Sequence, residues 1–176
     1  LLIMVTLRIM PFGDVPKYVL DAISEELRSS LNLMTEISEP KGLPKEFYNP
    51  FRHQYLAEKI LDFIAQKFKG NILAITSEDL YAEGLNFVFG EAELPGRVCI
   101  VSIHRLNPKF YRQPENKSLL IERAVKEAKH EVCHALFGLR HCDDPNCVMS
   151  FSNTIFDVDR KSKELCSKCK ARILRR

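Results

Sequence analysis

The chain opens on an apolar run, Leu1 to Met10, interrupted by Arg8 and stopped by Pro11-Phe12-Gly13. That pattern predicts a buried strand over about residues 1–10. The run is too short for a membrane span and lacks the small-residue cleavage pattern of a signal peptide. A helix is predicted through Val19 to Leu27, and a second strand near 32–38. From about 52 to 68 the apolar positions Leu56, Ile60, Leu61, Ile64 and Phe68 recur at helical spacing and predict a long amphipathic helix. Three strands are expected next, at Ile72-Leu73-Ala74-Ile75, Leu85 to Phe89 and Val98 to Ile103, punctuated by Gly70, Gly84 and Pro95-Gly96. The last strong period is helical again. Ile121, Val125, Ala128, Val132 and Ala135/Leu136 form one stripe of a helix that opens near Asn116 or Ser118, after Pro114.

The order β-α-β-α-β-β-β followed by a helix describes an α/β fold, one twisted mixed sheet backed by two helices. There is no internal repeat and no low-complexity segment. With 176 residues and 45% hydrophobic composition, one compact domain with a sizeable core is expected. A net charge of +3 is too slight to suggest a nucleic-acid partner. Lys161, Lys163, Lys168, Lys170, Arg172, Arg175 and Arg176 do cluster near the C-terminal end, as in some zinc-ribbon nucleic-acid binders, but a solvated terminal helix accounts for them more simply.

The chemistry is concentrated on and after the last helix. Residues four apart on a helix differ by about 40° in azimuth and about 6 Å along the axis, so His130 and His134 can offer two nitrogens to one ion. Counting roughly 100° per residue sets both opposite the apolar stripe, away from the packing face. Glu131 adjoins the first histidine and can reach a zinc-bound water without coordinating, which makes it a candidate general base. Zinc lowers the pKa of such a water to roughly 7, and peptide hydrolysis is the reaction this arrangement suits best. Gly138 can adopt the left-handed conformation that turns the chain back and brings His141 to the same ion. Met149 would then form an apolar floor beneath the metal, or simply belong to the core.

Cys142, Cys147, Cys166 and Cys169 form a second donor set. A Cys-x-x-Cys pair in a Lys/Arg-rich terminal segment, outside a strand-helix redox unit, suits a closed tetrahedral zinc better than redox chemistry. A disulfide pair or plain thiols are the other readings. Cys99 and Cys133 stand in apolar company and are expected to be small buried hydrophobes.

These residues resemble the metzincin clan of zinc peptidases and, within it, the archaemetzincin family. The chain reads His130-Glu131-Val-Cys-His134-Ala-Leu-Phe-Gly138-Leu-Arg-His141-Cys142, then Cys147-Val-Met149 and Cys166-Ser-Lys-Cys169. The stretch Tyr81 to Leu106, with Asn86-Phe87-Val88-Phe89-Gly90-Glu91-Ala92, also looks like the family segment ahead of the active-site helix. The resemblance implies catalytic zinc ligands at His130, His134 and His141, a base at Glu131 and a Met-turn at Met149. It also implies a structural zinc on the four cysteines. Three residues, rather than the two of the His-x-x-Gly spacing, separate His134 from Gly138, and sixteen rather than seventeen separate Met149 from Cys166. On a regular helix the extra residue rotates the glycine by about 100°, so His141 is expected to need a bulge or a shifted turn to reach the metal.

The resulting expectation is a metzincin-like zinc metallopeptidase, a hydrolase holding two Zn2+ ions per chain, one catalytic and one structural. An N-terminal α/β subdomain would span 1–141 with the active-site helix. A zinc-stapled C-terminal subdomain would span 142–176. An edge strand around Gly90 to Leu94 would receive an extended peptide or protein substrate, and Phe151 to Phe156 would line one wall. The alternative is a two-zinc protein- or nucleic-acid-binding module with little or no turnover. The chain is expected to be a cytoplasmic monomer with neither a membrane partner nor a prosegment bearing a blocking cysteine, since thiols used as ligands suit a reducing compartment.

Overall fold

The computed structural model describes residues 4–174. Residues 1–3 of the expected first strand, and Arg175 and Arg176 of the basic cluster, lie outside the described residues. In chain order the elements are β1 (Thr6–Phe12), α1 (Lys17–Leu31), β2 (Met34–Ile37), β3 (Tyr48–Asn49), β4 (Gln54–Leu56), α2 (Ala57–Lys67), β5 (Asn71–Thr76), β6 (Leu80–Tyr81), β7 (Gly90–Ala92), β8 (Val98–Ser102), α3 (Lys117–Phe137), α4 (Ile155–Arg160) and α5 (Ser167–Leu174). The main sheet runs β2-β1-β5-β8-β7, with β7 antiparallel to β8 and every other pair parallel.

The continuous apolar run of β5 follows from burial on both sides. Leu73 and Ile75 point with Leu7, Ile9 and Val101 into the layer of α1 and α3. Ile72 and Ala74 point with Met10, Phe12 and Ile100 toward α2. A period-2 strand covered on both faces needs apolar residues at every position, as parallel central strands do. In α1, Val19, Leu20, Ile23 and Leu27 supply the buried stripe, and Asn32 ends the helix in the left-handed region at φ 54. Asn116 caps α3 by accepting the backbone N–H of Leu119 at 3.0 Å.

α3 is enclosed far beyond its apolar stripe. Every residue from Arg123 to Ala135 is buried. On its polar side Arg123 makes a two-pronged contact with Asp159, both bonds 2.8 Å, and the Lys126 ammonium donates to the Val158 carbonyl at 3.1 Å. A third apolar cluster, around Cys133, Leu139, Val148, Met149 and Leu165, joins the end of α3 to the C-terminal segment.

Three expectations change. The helix expected from 52 begins at Ala57, because Gln54–Leu56 is drawn into a second sheet, β3-β4-β6, where Tyr48 pairs with Tyr55 and Tyr55 with Leu80. The buried Gln54 amide fixes that strand by donating to Asp79 at 3.0 Å. Leu85 to Phe89 is a loop, and the strand lies just after it at Gly90–Ala92. Its apolar residues face a cavity rather than a pleated layer, with Phe87 and Phe89 packed edge to face at 5.0 Å. Among the described residues the fold therefore has two sheets rather than one.

Candidate active site and metal centres

His130, His134 and His141 converge, each with a ligand atom within 4.8 Å of the others. α3 places the first two one turn apart, 4% and 6% exposed. The His130 Nδ1–H donates to the Val148 carbonyl at 2.8 Å, and the His134 Nδ1–H donates to the Leu139 carbonyl. Those bonds fix the tautomer and leave both Nε2 lone pairs free, 3.0 Å apart and facing one another. Two unprotonated nitrogens so close repel unless a cation lies between them. For Zn–N bonds of about 2.0–2.1 Å a tetrahedral ion needs donors about 3.3 Å apart, so the pair fits.

The imidazoles stay neutral. Burial, and after it the Lys161 charge, pushes His130 well below its usual range. Burial likewise lowers His134 to about 4 and lowers His141. Neutral imidazole is the form that binds metal.

His141 arrives without a bulge. α3 stays regular to Phe137, and Gly138 leaves it at φ 63, its N–H returning to the His134 carbonyl at 3.1 Å. The Leu139 N–H returns to the Cys133 carbonyl at 3.1 Å. The turn at Gly138 sets the Leu139 carbonyl against His134. The His141 ring lies 4.8 Å from that of His134, and 5.0 Å from Phe151 on its other side.

Glu131 is 5% exposed beside these rings. Burial, then repulsion from Glu127, raises its carboxyl well above the usual range, a shift that Lys161 partly offsets. Lys161, expected on a solvated tail, is buried instead: its Nζ lies 2.8 Å from Glu127 Oε1, with side chains 0% and 4% exposed. Its ammonium also donates to the Ser150 carbonyl at 3.2 Å. Glu127 offers no histidine-like spacing and Lys161 reads as one charge among many, so neither stood out in the sequence.

The four thiols Cys142, Cys147, Cys166 and Cys169 lie with all Sγ atoms within 4.8 Å of one another. Cys142 and Cys166 Sγ are 3.8 Å apart, and Cys147 and Cys169 Sγ 3.9 Å. All are free, and Zn–S bonds of about 2.3 Å require tetrahedral sulfurs about 3.8 Å apart, which the set matches. The N–H groups of Met149 and Cys166 each donate to Cys147 Sγ at 3.4 Å, stabilising a thiolate. The Cys169 backbone N–H holds the Cys166 thiol down to about 7. Met149 is fully buried beside Cys147, and Cys99 and Cys133 are buried free thiols.

A cavity of about 430 Å³ opens over the histidines, with Glu127, Glu131 and the strand β7 on its wall. Phe151, Ser152 and Asn153 line it as well. Phe156 does not contribute; it stands 79% exposed on α4. Leu85, Phe87 and Phe89 supply an apolar flank of the cavity in place of the expected strand.

The sequence model of peptidase family M54 matches residues 4–175. The archaemetzincin of Pyrococcus furiosus is 41% identical over 92% of this chain and 88% of its own length. That of Methanocaldococcus jannaschii is 44% identical over 92% and 88%. The crystal structure of archaemetzincin from Methanopyrus kandleri superposes with a TM-score of 0.86 at 40% identity, covering 98% of this chain and 94% of that one. The archaemetzincin of Archaeoglobus fulgidus, complexed with malonate, gives 0.83 at 36% identity over 95% and 99%. Likeness of this extent in sequence and fold shows that the chain belongs to peptidase family M54, the archaemetzincins, and is a zinc metallopeptidase.

Proposed function

We propose that the chain hydrolyses peptide bonds with Glu131 as general base, at a zinc ion held by His130, His134 and His141, and that a second zinc on Cys142, Cys147, Cys166 and Cys169 is structural. One observation carries the reading: two buried, neutral imidazoles turn unprotonated Nε2 atoms toward one point, with a buried carboxylate on the next residue. Bound there, zinc supplies Lewis acidity that lowers the pKa of water toward roughly 7, polarises a carbonyl oxygen and favours the ionised form of Glu131.

The remaining work falls to the chain. The Glu131 carboxylate accepts a proton from the attacking water and returns it to the leaving nitrogen, the two halves of acid–base catalysis by one group. β7 pairs with β8 on one side only, and its free edge is suited to hold an extended peptide by backbone hydrogen bonds. Leu85, Phe87, Phe89 and Phe151 favour a large apolar side chain next to the cut. Phe151, packed on His141, steadies the ring most distant from α3. We read the segment after His141 as a small unit stapled by the thiol-bound ion. Six free thiols suit a reducing compartment, hence the cytoplasm. Among the described residues no helix is long and apolar enough to cross a membrane.

A peptide-library digest with the zinc-loaded protein, a chelator control and the Glu131→Gln variant tests the reading. Cleavage after large apolar residues or before them, abolished by both treatments, is expected. Cleavage that persists in Glu131→Gln would remove the base, and a zinc-loaded wild type that binds peptides without cutting any would leave a binding module.

A further inference from the structure

β7 carries a glycine where a strand gains from a side chain, and its backbone gives no reason for one. Gly90 is absent from the positive-φ glycines, which are Gly13, Gly70, Gly84 and Gly138. Any residue could adopt its conformation, so the requirement comes from what surrounds it. A Cβ on Gly90 would lie 2.6 Å from the Ile100 carbonyl oxygen, 2.9 Å from Glu131 Cγ and 3.1 Å from Glu131 Oε1. The first two distances are closer than side-chain atoms come, and two of the three atoms belong to one residue.

Glu131 has little room to retreat. Its backbone is locked in the regular turn of α3 between His130 and His134, and its side chain is 5% exposed. The carboxylate therefore rests in a slot whose far wall is the bare Cα of Gly90. We propose that Gly90 is a positioning residue: its missing side chain sets where the Glu131 carboxylate sits relative to the three imidazoles. This rests on Glu131 being the base. Placement of a general base is a steep function of distance, and a displacement of about 1 Å costs about 100-fold in rate. A single methyl group at Gly90 is enough to impose such a displacement.

The test is a double-mutant cycle on the zinc-loaded full chain. Gly90→Ala is expected to lower kcat by about 100-fold with KM changed by no more than about twofold, and to leave zinc content unchanged. Affinity for a peptide hydroxamate, whose hydroxyl donates to the base, gives a readout independent of turnover. Gly90→Ala should weaken it by about tenfold with Glu131 present and leave it unchanged in a Glu131→Ala background. The clash with Ile100 is common to both backgrounds and cancels. Equal losses in both, or no loss in either, would overturn the assignment. Should Gly90→Ala fail to fold, recovery of folded protein on adding Glu131→Ala supports the contact, and no recovery overturns it. A wild type that binds zinc and hydroxamate but never cleaves would defeat the hydrolytic reading alone, and the hydroxamate cycle would still decide Gly90.

Discussion

The His130 Nδ1–H donates to the carbonyl of Val148 at 2.8 Å, and Val148 follows Cys147 directly. One turn, Cys147-Val148-Met149-Ser150, closed by the Ser150 N–H on the Cys147 carbonyl at 2.9 Å, thus touches both donor sets. Cys147 belongs to the four-thiol set, Val148 orients His130 of the three-imidazole set, and Met149 packs in the apolar cluster beside Cys147.

The coupling should be asymmetric. Cys147→Ser is expected to weaken zinc binding at the histidines by about 10- to 100-fold, the usual cost of a lost outer partner. His130→Ala should release about one equivalent and leave the thiol-bound ion in place. Competitive zinc titration of both variants checks this, and equal loss of both ions in His130→Ala would mean the centres are not separate.

Lys161 and Glu127 are both buried, and removing one leaves the other charged without a partner. Lys161→Met is expected to cost about 3–5 kcal/mol in denaturant unfolding, while the double variant Lys161→Met/Glu127→Leu should recover much of that loss. A double variant as unstable as the single one would show that the contact with the Ser150 carbonyl, rather than the ion pair, carries the effect.

Glu91 on β7 is pushed up to about 7, by burial first and then by Glu58 and Asp62. A carboxyl raised on folding stabilises the folded chain fully below its unfolded value near 4.5, and that contribution is lost as pH rises through about 7. The thermal midpoint of the wild type should therefore fall over this window relative to Glu91→Gln. At pH 8 the variant should be the more stable of the two, and parallel melting-against-pH curves would count against the buried-acid account.

Gly138 holds φ 63 at the end of α3, where a Cβ is strained. Gly138→Ala should destabilise the protein by about 1–2 kcal/mol. It should also weaken zinc binding at the histidines by misplacing His141, with the thiol site untouched. Unfolding and zinc titration on one preparation separate the two effects.

Much of the site was legible because its chemistry is local. His130, Glu131 and His134 declare themselves through helical spacing, and the four cysteines through their pairing. The elements that depend on remote partners were not. Gln54–Leu56 reads as the first turn of a helix until Leu80 and Tyr81 draw it into a sheet. Leu85 to Phe89 has strand-like composition because its side chains wall a cavity, a fact of tertiary packing. Lys161 becomes a buried ion only through Glu127, and the crowding at Gly90 comes from Ile100 and Glu131, which strand pairing and helix packing bring to it. The spacing to Gly138 is legible too, and of the two routes it leaves open for His141, a bulge or a shifted turn, the chain takes the left-handed turn at Gly138.

The most direct test is anomalous diffraction at the zinc edge from crystals of protein shown to cleave peptide. Two peaks are predicted, one among the nitrogens of His130, His134 and His141 beside Glu131, the other among the sulfurs of Cys142, Cys147, Cys166 and Cys169. A peptide-cleaving sample with no metal at the three imidazoles would contradict the account.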